Sequence, residues 1–247
     1  MPEPVSSREL TEARRPAPPS FLRQVWLIAR KDLAIEWRSR EIVVTTAFLA
    51  VVIVLIFSFA FVVAGAPPTP AVVSGILWVA VVVSGTVALS RTFERERDGD
   101  ALRALLLTPA PRPAVYLGKL LAVLILMLGV ETLVTVLTGV FFTRAIASEA
   151  PRVALLLLLG TVGFAAVGCV FSAALLRARG RETLLAALLY PIVVPIVIAG
   201  SRGTALVIDL ASPDLDAANF WTQFLAVVDV LFVLAGLWSF EPVVSGD

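Results

Sequence analysis

Long apolar runs alternate with short polar stretches along most of this chain. Six runs have about the ~20 residues that a helix needs to cross a bilayer core. They cover residues 42–63, 71–89, 120–142, 153–175, 184–200 and 220–237. The fifth run is short and holds Pro191 and Pro195, so a broken or re-entrant segment is an alternative there. The pattern predicts an all-α, polytopic membrane protein with six transmembrane helices, whose membrane domain is residues 42–237.

Two different patterns precede the first run. Residues 1–20 hold several prolines and few large apolar side chains, a composition typical of a disordered tail. Residues 21–41 predict an amphipathic helix, because apolar side chains recur at helical spacing. Its predicted apolar face is Leu22, Val25, Trp26, Ala29, Leu33 and Trp37. Tryptophans on one face with basic residues elsewhere favour an elbow helix in the membrane interface. At the other end, residues 238–247 predict a short tail.

The longest charged stretch, residues 90–113, lies between the second and third runs. Asp98 and Asp100 are typical N-cap residues, and a short helix is expected after them. Its apolar face would hold Ala101, Leu102, Leu105 and Leu106 before Thr108-Pro109 ends it. From the residues alone two interpretations stay open. The segment is either a docking element for another protein or a solvated loop whose leucines rest on lipid headgroups.

The distribution of Lys and Arg predicts how the six spans are oriented. With the N-terminus in the cytoplasm, seventeen basic residues fall on the cytoplasmic side and three on the other. Such a bias is what the positive-inside rule requires. We therefore expect both termini and residues 90–113 to face the cytoplasm.

Composition excludes several classes of function. The chain is 59% apolar with a net charge of +1, which gives no electrostatic basis for binding nucleic acid. It has no histidine, the commonest metal ligand and general base, and one cysteine, Cys169. The only haem ligands available are Cys169, Met127, Tyr116 and Tyr190, and none is placed convincingly. No phosphate-binding loop is present, so an ATPase of that kind is not encoded here.

Two carboxylates lie inside apolar runs, Glu131 in the third and Asp229 in the sixth. A charged carboxylate at the bilayer centre costs at least ~2.5–3.5 kcal/mol, so each is expected to face the bundle interior. One interpretation is a proton or substrate relay. The other is a polar pin between helices, bonded to Thr132, Thr135 or a backbone carbonyl.

Small residues and prolines mark two of the later spans. Pro191 and Pro195 indicate a kink, which serves either as a hinge or as a static bend. Gly168-x-x-x-Ser172 predicts a close approach of the fourth span to a neighbouring helix.

Residues 90–121 resemble the cytoplasmic segment of ABC-2-type transporter permeases. The matching residues are Phe93-Glu94-Arg95-Glu96, Asp98-Gly99-Asp100-Ala101-Leu102, Leu105-Leu106-Leu107, Pro109 and Leu117-Gly118-Lys119-Leu120-Leu121-Ala122. Within that class the chain is most similar to the CcmB family, the haem exporter protein B of cytochrome c maturation. Arg30-Lys31-Asp32-Leu33, Pro109-x-Pro111-Arg112 and Pro191-x-x-x-Pro195 add to the resemblance.

The resemblance implies a permease subunit in the bacterial inner membrane, not an enzyme. A separate CcmA-type ATPase would bind ATP and Mg²⁺, and CcmC, CcmD and CcmE-type proteins and a second copy of the permease would complete the complex. Haem would be handled by the complex, with no cofactor bound by this chain. The residues expected to dock the ATPase are Glu94, Glu96, Arg97, Leu102, Leu105 and Leu106.

Three alternatives remain from the sequence. The chain could be an ABC-2-type permease that exports a drug, a lipid or a polysaccharide. It could be a membrane assembly scaffold with no ATPase partner. It could also be a proton-coupled carrier that uses Glu131 and Asp229.

Overall fold

A computed structural model describes residues 19–65, 67–98, 111–175, 178 and 180–245. This part of the chain is all-α, and its eight helices are α1 (Phe21–Ser39), α2 (Glu41–Ala64), α3 (Pro70–Asp98), α4 (Arg112–Phe141), α5 (Ala145–Ser148), α6 (Ala150–Ala174), α7 (Arg181–Ile208) and α8 (Leu215–Ser245). All except α1 and the single turn α5 are long and apolar enough to cross a membrane. The predicted class and the predicted number of spans are confirmed.

Several helices extend beyond the apolar runs that predicted them. Helix α4 begins at Arg112 rather than at residue 120, and α8 continues to Ser245 through most of the predicted tail. Helix α7 is continuous, with Pro191 and Pro195 inside it, so the re-entrant alternative for the fifth span is wrong. Each proline removes one backbone hydrogen bond, and the remaining bonds of a 28-residue helix carry the helix past it.

Helices α3 and α6 form the inside of the bundle. In their apolar stretches 67% of the residues are buried, against 17% in α8. Helix α8 packs on α6 and α7 and exposes large apolar side chains on its other side, among them Val227, Leu231 and Leu234. That distribution fits a helix with one face toward lipid, because lipid tails are as apolar as leucine.

Trp78 of α3 fills a space that two glycines leave open. A Cβ on Gly200 of α7 would lie 2.1 Å from the Trp78 ring, and one on Gly160 of α6 would lie 2.3 Å from it. The indole Nε1 donates to Thr204 Oγ1 at 3.1 Å. One buried side chain therefore fixes α3 against both α6 and α7.

The small residues of α6 allow the close approach that the sequence predicts. A Cβ on Gly168 would lie 2.3 Å from Leu89 Cδ1 of α3, and Ser172, one turn further along, is buried. Helices α3 and α6 therefore also touch near their C-terminal ends.

Candidate functional site

Two sequence motifs 87 residues apart meet where α1 packs on the first turns of α4. Lys119 Nζ lies 2.6 Å from Asp32 Oδ2, and the Lys119 side chain is 1% exposed. The other oxygen, Asp32 Oδ1, lies 3.1 Å from Nζ of Lys31, whose side chain is 43% exposed. The Asp32 carboxylate therefore joins a buried ammonium group on α4 to a partly solvated one on its own helix.

Gly118 lets the two helices come this close. A Cβ at Gly118 would lie 2.7 Å from Ile28 Cβ and 3.1 Å from the Val25 carbonyl oxygen, both on α1. Only a residue without a side chain fits such a contact unless the helices move apart. We call this contact, formed by Val25, Ile28, Asp32, Gly118 and Lys119, the α1–α4 joint.

A tight corner connects α1 to α2. Arg40 adopts the left-handed conformation, with φ of 55°, and its N–H donates to the Glu36 carbonyl at 2.6 Å. Glu36 Oε1 accepts a hydrogen bond from the Val43 N–H at 3.0 Å. That N–H belongs to the first turn of α2, where backbone donors have no partner within the helix and a negative charge is favourable. Helix α1 is thus held to both α2 and α4.

The face of α1 that packs on the bundle differs from the predicted apolar face. Leu22, Trp26 and Trp37, all predicted for that face, are exposed. The buried positions are Ile28, Ala29 and Glu36. Charged side chains of α1 instead contact partners on α2 and α4, and the tryptophans lie away from the bundle. The location of α1 in a membrane interface stays a prediction.

Glu131 is buried within the bundle, as expected, but its partner is not one of the predicted threonines. The Thr161 hydroxyl of α6 forms a hydrogen bond with Glu131 Oε1. Thr132 Oγ1 instead donates to the Leu128 carbonyl at 2.7 Å. Glu131 Oε2 and Thr135 Oγ1 are buried and have no hydrogen-bond partner among the described residues. Glu131 therefore connects α4 to α6.

Asp229 lies against the opposite side of α6. Its side chain is buried, and a Cβ on Gly163 would come 2.5 Å from Asp229 Oδ1. Thr161 and Gly163 are two positions apart, which is about 200° around a helix. Helix α6 therefore separates the two carboxylates, and they do not form the pair that a direct relay between them would need.

Pro191 and Pro195 are exposed on the surface of α7. Beside them an apolar groove of about 390 Å³ runs between α3 and α7, lined by Val79, Val82, Val83, Tyr190, Val193, Val194, Val197 and Ile198. The prolines themselves do not line this groove. Their role as a hinge stays a prediction.

The sequence model of the CcmB protein family matches residues 23–241, which is most of the chain. The chain belongs to the CcmB family. It is also similar to two curated relatives named Heme exporter protein B, from Escherichia coli strain K12 and from Shigella flexneri, with 30% identity over 101 residues in each case. These matches cover 39% of this chain and 44% of each relative, so the chain spans less than half of the relatives' length in them.

In this CcmB family member the predicted docking segment is framed by two helices. Helix α3 ends at Asp98 and α4 begins at Arg112. Glu94, Glu96 and Arg97 belong to the last turns of α3, and their side chains lie outside the described part of the chain. The other three predicted docking residues, Leu102, Leu105 and Leu106, lie outside the described residues altogether. The docking role and the short helix in this segment stay predictions.

Most of the side chains that could ligate haem are occupied by packing. Cys169, Met127 and Tyr116 are buried, and Tyr116 donates from its hydroxyl to the Ala166 carbonyl at 3.2 Å. Tyr190 is 40% exposed and lines the groove between α3 and α7. Among the described residues, no three His, Cys, Asp or Glu side chains are grouped as a metal site would require.

Proposed function

We propose that this chain is the permease subunit of an ABC transporter complex that handles haem during cytochrome c maturation. The family match over residues 23–241 carries this proposal. Six helices of membrane-spanning length support it. Because the sequence has no phosphate-binding loop, a separate CcmA-type ATPase supplies the energy. ATP and Mg²⁺ bind to that partner, and the permease itself is not an enzyme.

The complex lies in the bacterial inner membrane, with both termini of this chain in the cytoplasm. The strong asymmetry of Lys and Arg between alternate connections supports this orientation. CcmC, CcmD and CcmE-type proteins and a second copy of the permease are the other members. The sequence, which has no histidine, favours release of a haem-loaded chaperone over passage of haem through this bundle.

Residues 90–113 are the docking site for the ATPase in this proposal. Closure of the ATPase displaces this segment. The C-terminal end of α3 and the N-terminal end of α4 flank the segment and move with it. The α1–α4 joint passes the displacement to α1 through Asp32 and Lys119, and the Glu36 cap passes it to α2. Such coupling requires a bundle with two discrete packings that contact the ATPase differently.

Leu105→Asp tests the docking site, because it places a charge on the predicted apolar contact. We expect the variant to insert normally and to lose the ATPase in a pull-down from detergent-solubilised membranes. Leu210→Asp is the matched control, since Leu210 is an exposed leucine in the connection between α7 and α8, on the predicted opposite side. It should retain the ATPase at the level of the unmodified chain.

Cytochrome c production in deletion strains and in further variants distinguishes the alternatives. Recovery of the ATPase with Leu105→Asp at the unmodified yield would contradict docking through this segment. Normal cytochrome c in cells that lack the ATPase would favour the scaffold. Normal cytochrome c in cells that lack this chain would indicate another exported substrate. Intact cytochrome c in a Glu131→Gln, Asp229→Asn double variant would exclude the proton-coupled carrier.

A further inference from the structure

A small cavity lies beside Glu131, between α2, α3 and α4. It is lined by Thr46, Val81, Ser84, Gly85, Ala88, Met127, Val130 and Glu131. Its volume of about 10 Å³ is close to the smallest space that holds one water molecule. Most of its wall is apolar, but the lining residues include one carboxylic acid and two hydroxyl side chains, and a cavity holds water only where polar groups are in reach.

The hydroxyl hydrogens around this cavity already have acceptors. Thr46 Oγ1 donates to the Ile42 carbonyl at 2.6 Å, and Ser84 Oγ donates to the Ala80 carbonyl at 2.6 Å. Each hydroxyl oxygen still has lone pairs with which to accept. The cavity wall therefore offers acceptors and needs a donor.

The contacts of Glu131 are compatible with a neutral carboxyl group. Thr161 has one hydroxyl hydrogen, and Thr161 Oγ1 lies 2.8 Å from the Leu157 carbonyl as well as in hydrogen-bond contact with Glu131 Oε1. When Thr161 donates this hydrogen to the Leu157 carbonyl, the hydrogen in the contact between Thr161 and Glu131 is donated by the Glu131 carboxyl group. A neutral carboxyl group also avoids the cost of a charge at this depth. Glu131 Oε2 then remains as an acceptor.

We propose that the cavity binds one water molecule, which donates its hydrogens to Glu131 Oε2 and Ser84 Oγ. Two to four polar partners are what a buried water requires, and these two acceptors meet the lower number. The water satisfies Glu131 Oε2, which is buried and has no partner among the described residues. It also joins α3 to α4 at the residue where α4 is joined to α6 through Thr161. This water site does not depend on the proposed transport function.

Infrared difference spectroscopy tests the site in the full chain, reconstituted in lipid nanodiscs with any subunits that co-purify. In ¹⁸O-labelled water, the O–H stretching band of the bound water should shift to lower frequency. A protonated carboxyl band should disappear in Glu131→Gln, which assigns that band to Glu131. Ser84→Val removes the acceptor and fills the cavity. It should abolish the isotope-sensitive band and move the carboxyl band to higher frequency, because the carboxyl group loses a hydrogen bond.

Thr86→Val is the matched control. Thr86 is on the same helix, makes the same kind of bond to its own helix at 2.8 Å, and does not line this cavity. Both bands should survive in it. If Ser84→Val does not fold, Ser84→Ala removes the acceptor without adding volume. Loss of the carboxyl band in Glu131→Gln without any isotope-sensitive band, or bands unchanged in the Ser84 variants, would overturn the proposal. The proposal would also be overturned if sodium chloride, compared with choline chloride, stabilised the unmodified chain but not Glu131→Gln. The occupant would then be sodium.

Discussion

Removal of the carboxylate from the α1–α4 joint should destabilise the protein more than removal of the ammonium group. Asp32→Asn takes away the carboxylate 2.6 Å from the Lys119 Nζ, which is 1% exposed. Breaking a buried ion pair by removing one partner costs about 3 kcal/mol or more. Lys119→Met should cost only about 1 kcal/mol. Asp32 still forms an ion pair with the Lys31 ammonium group at 3.1 Å, and the Lys31 side chain reaches solvent.

Thermal unfolding of the purified complex in detergent measures this difference. A loss of about 3 kcal/mol lowers the Tm of a chain of this size by about 6–12 °C, and about 1 kcal/mol lowers it by about 2–4 °C. The double variant Asp32→Leu, Lys119→Met should unfold close to the unmodified protein, since apolar residues of similar volume can replace a buried ion pair without loss. Equal Tm values for the two single variants, or a double variant as unstable as Asp32→Asn, would refute the reasoning.

The same variants test whether the joint transmits movement. If it does, Asp32→Asn should retain the proposed ATPase partner in a pull-down and lower cytochrome c production at a temperature where the protein remains folded. Normal production under those conditions would leave the joint as a purely structural contact.

Two further predictions follow from single contacts. Gly200→Ala places a Cβ 2.1 Å from the buried Trp78 ring and should cost about 1–3 kcal/mol in thermal unfolding; Gly75→Ala, where a Cβ meets nothing within 4 Å, is the control, and an equal loss there would contradict the packing argument. Glu36→Ala removes the cap on Val43 and should cost about 1 kcal/mol and speed amide hydrogen exchange at Val43. Glu36→Gln keeps an acceptor, so the Val43 amide should exchange nearly as slowly as in the unmodified chain. Equal exchange at Val43 in Glu36→Ala and Glu36→Gln would argue against the cap.

The positions of the spans could be predicted from the sequence because each span depends on local apolar content. Five of the six runs gave no ambiguity, and only the fifth was open to a second interpretation. That one was decided by the continuity of α7 through Pro191 and Pro195, which depends on the surrounding helices as well as on the prolines.

The contacts of the candidate site could not be predicted in the same way. Hydrophobic periodicity identified an apolar face of α1 that includes Trp26 and Trp37, but it could not show that α1 contacts the bundle through Asp32 and Glu36, because it gives charged residues no inward role. Asp32 turns inward only because Lys119, 87 residues away, is there to receive it. Glu131 likewise pairs with Thr161 on another helix rather than with the adjacent threonines. Sequence spacing within a helix carries no information about such partners.

The setting of Trp78 has a consequence for how the chain is made. Trp78 leaves the ribosome well before Gly160 and Gly200, the two residues that enclose its ring. At roughly 5–20 residues per second, synthesis from residue 78 to residue 200 takes roughly 6–24 s. During that interval the space that encloses the Trp78 ring is incomplete. The innermost layer of the finished protein is therefore completed only after translation has passed the fifth span, and a truncated chain ending before residue 200 leaves it open.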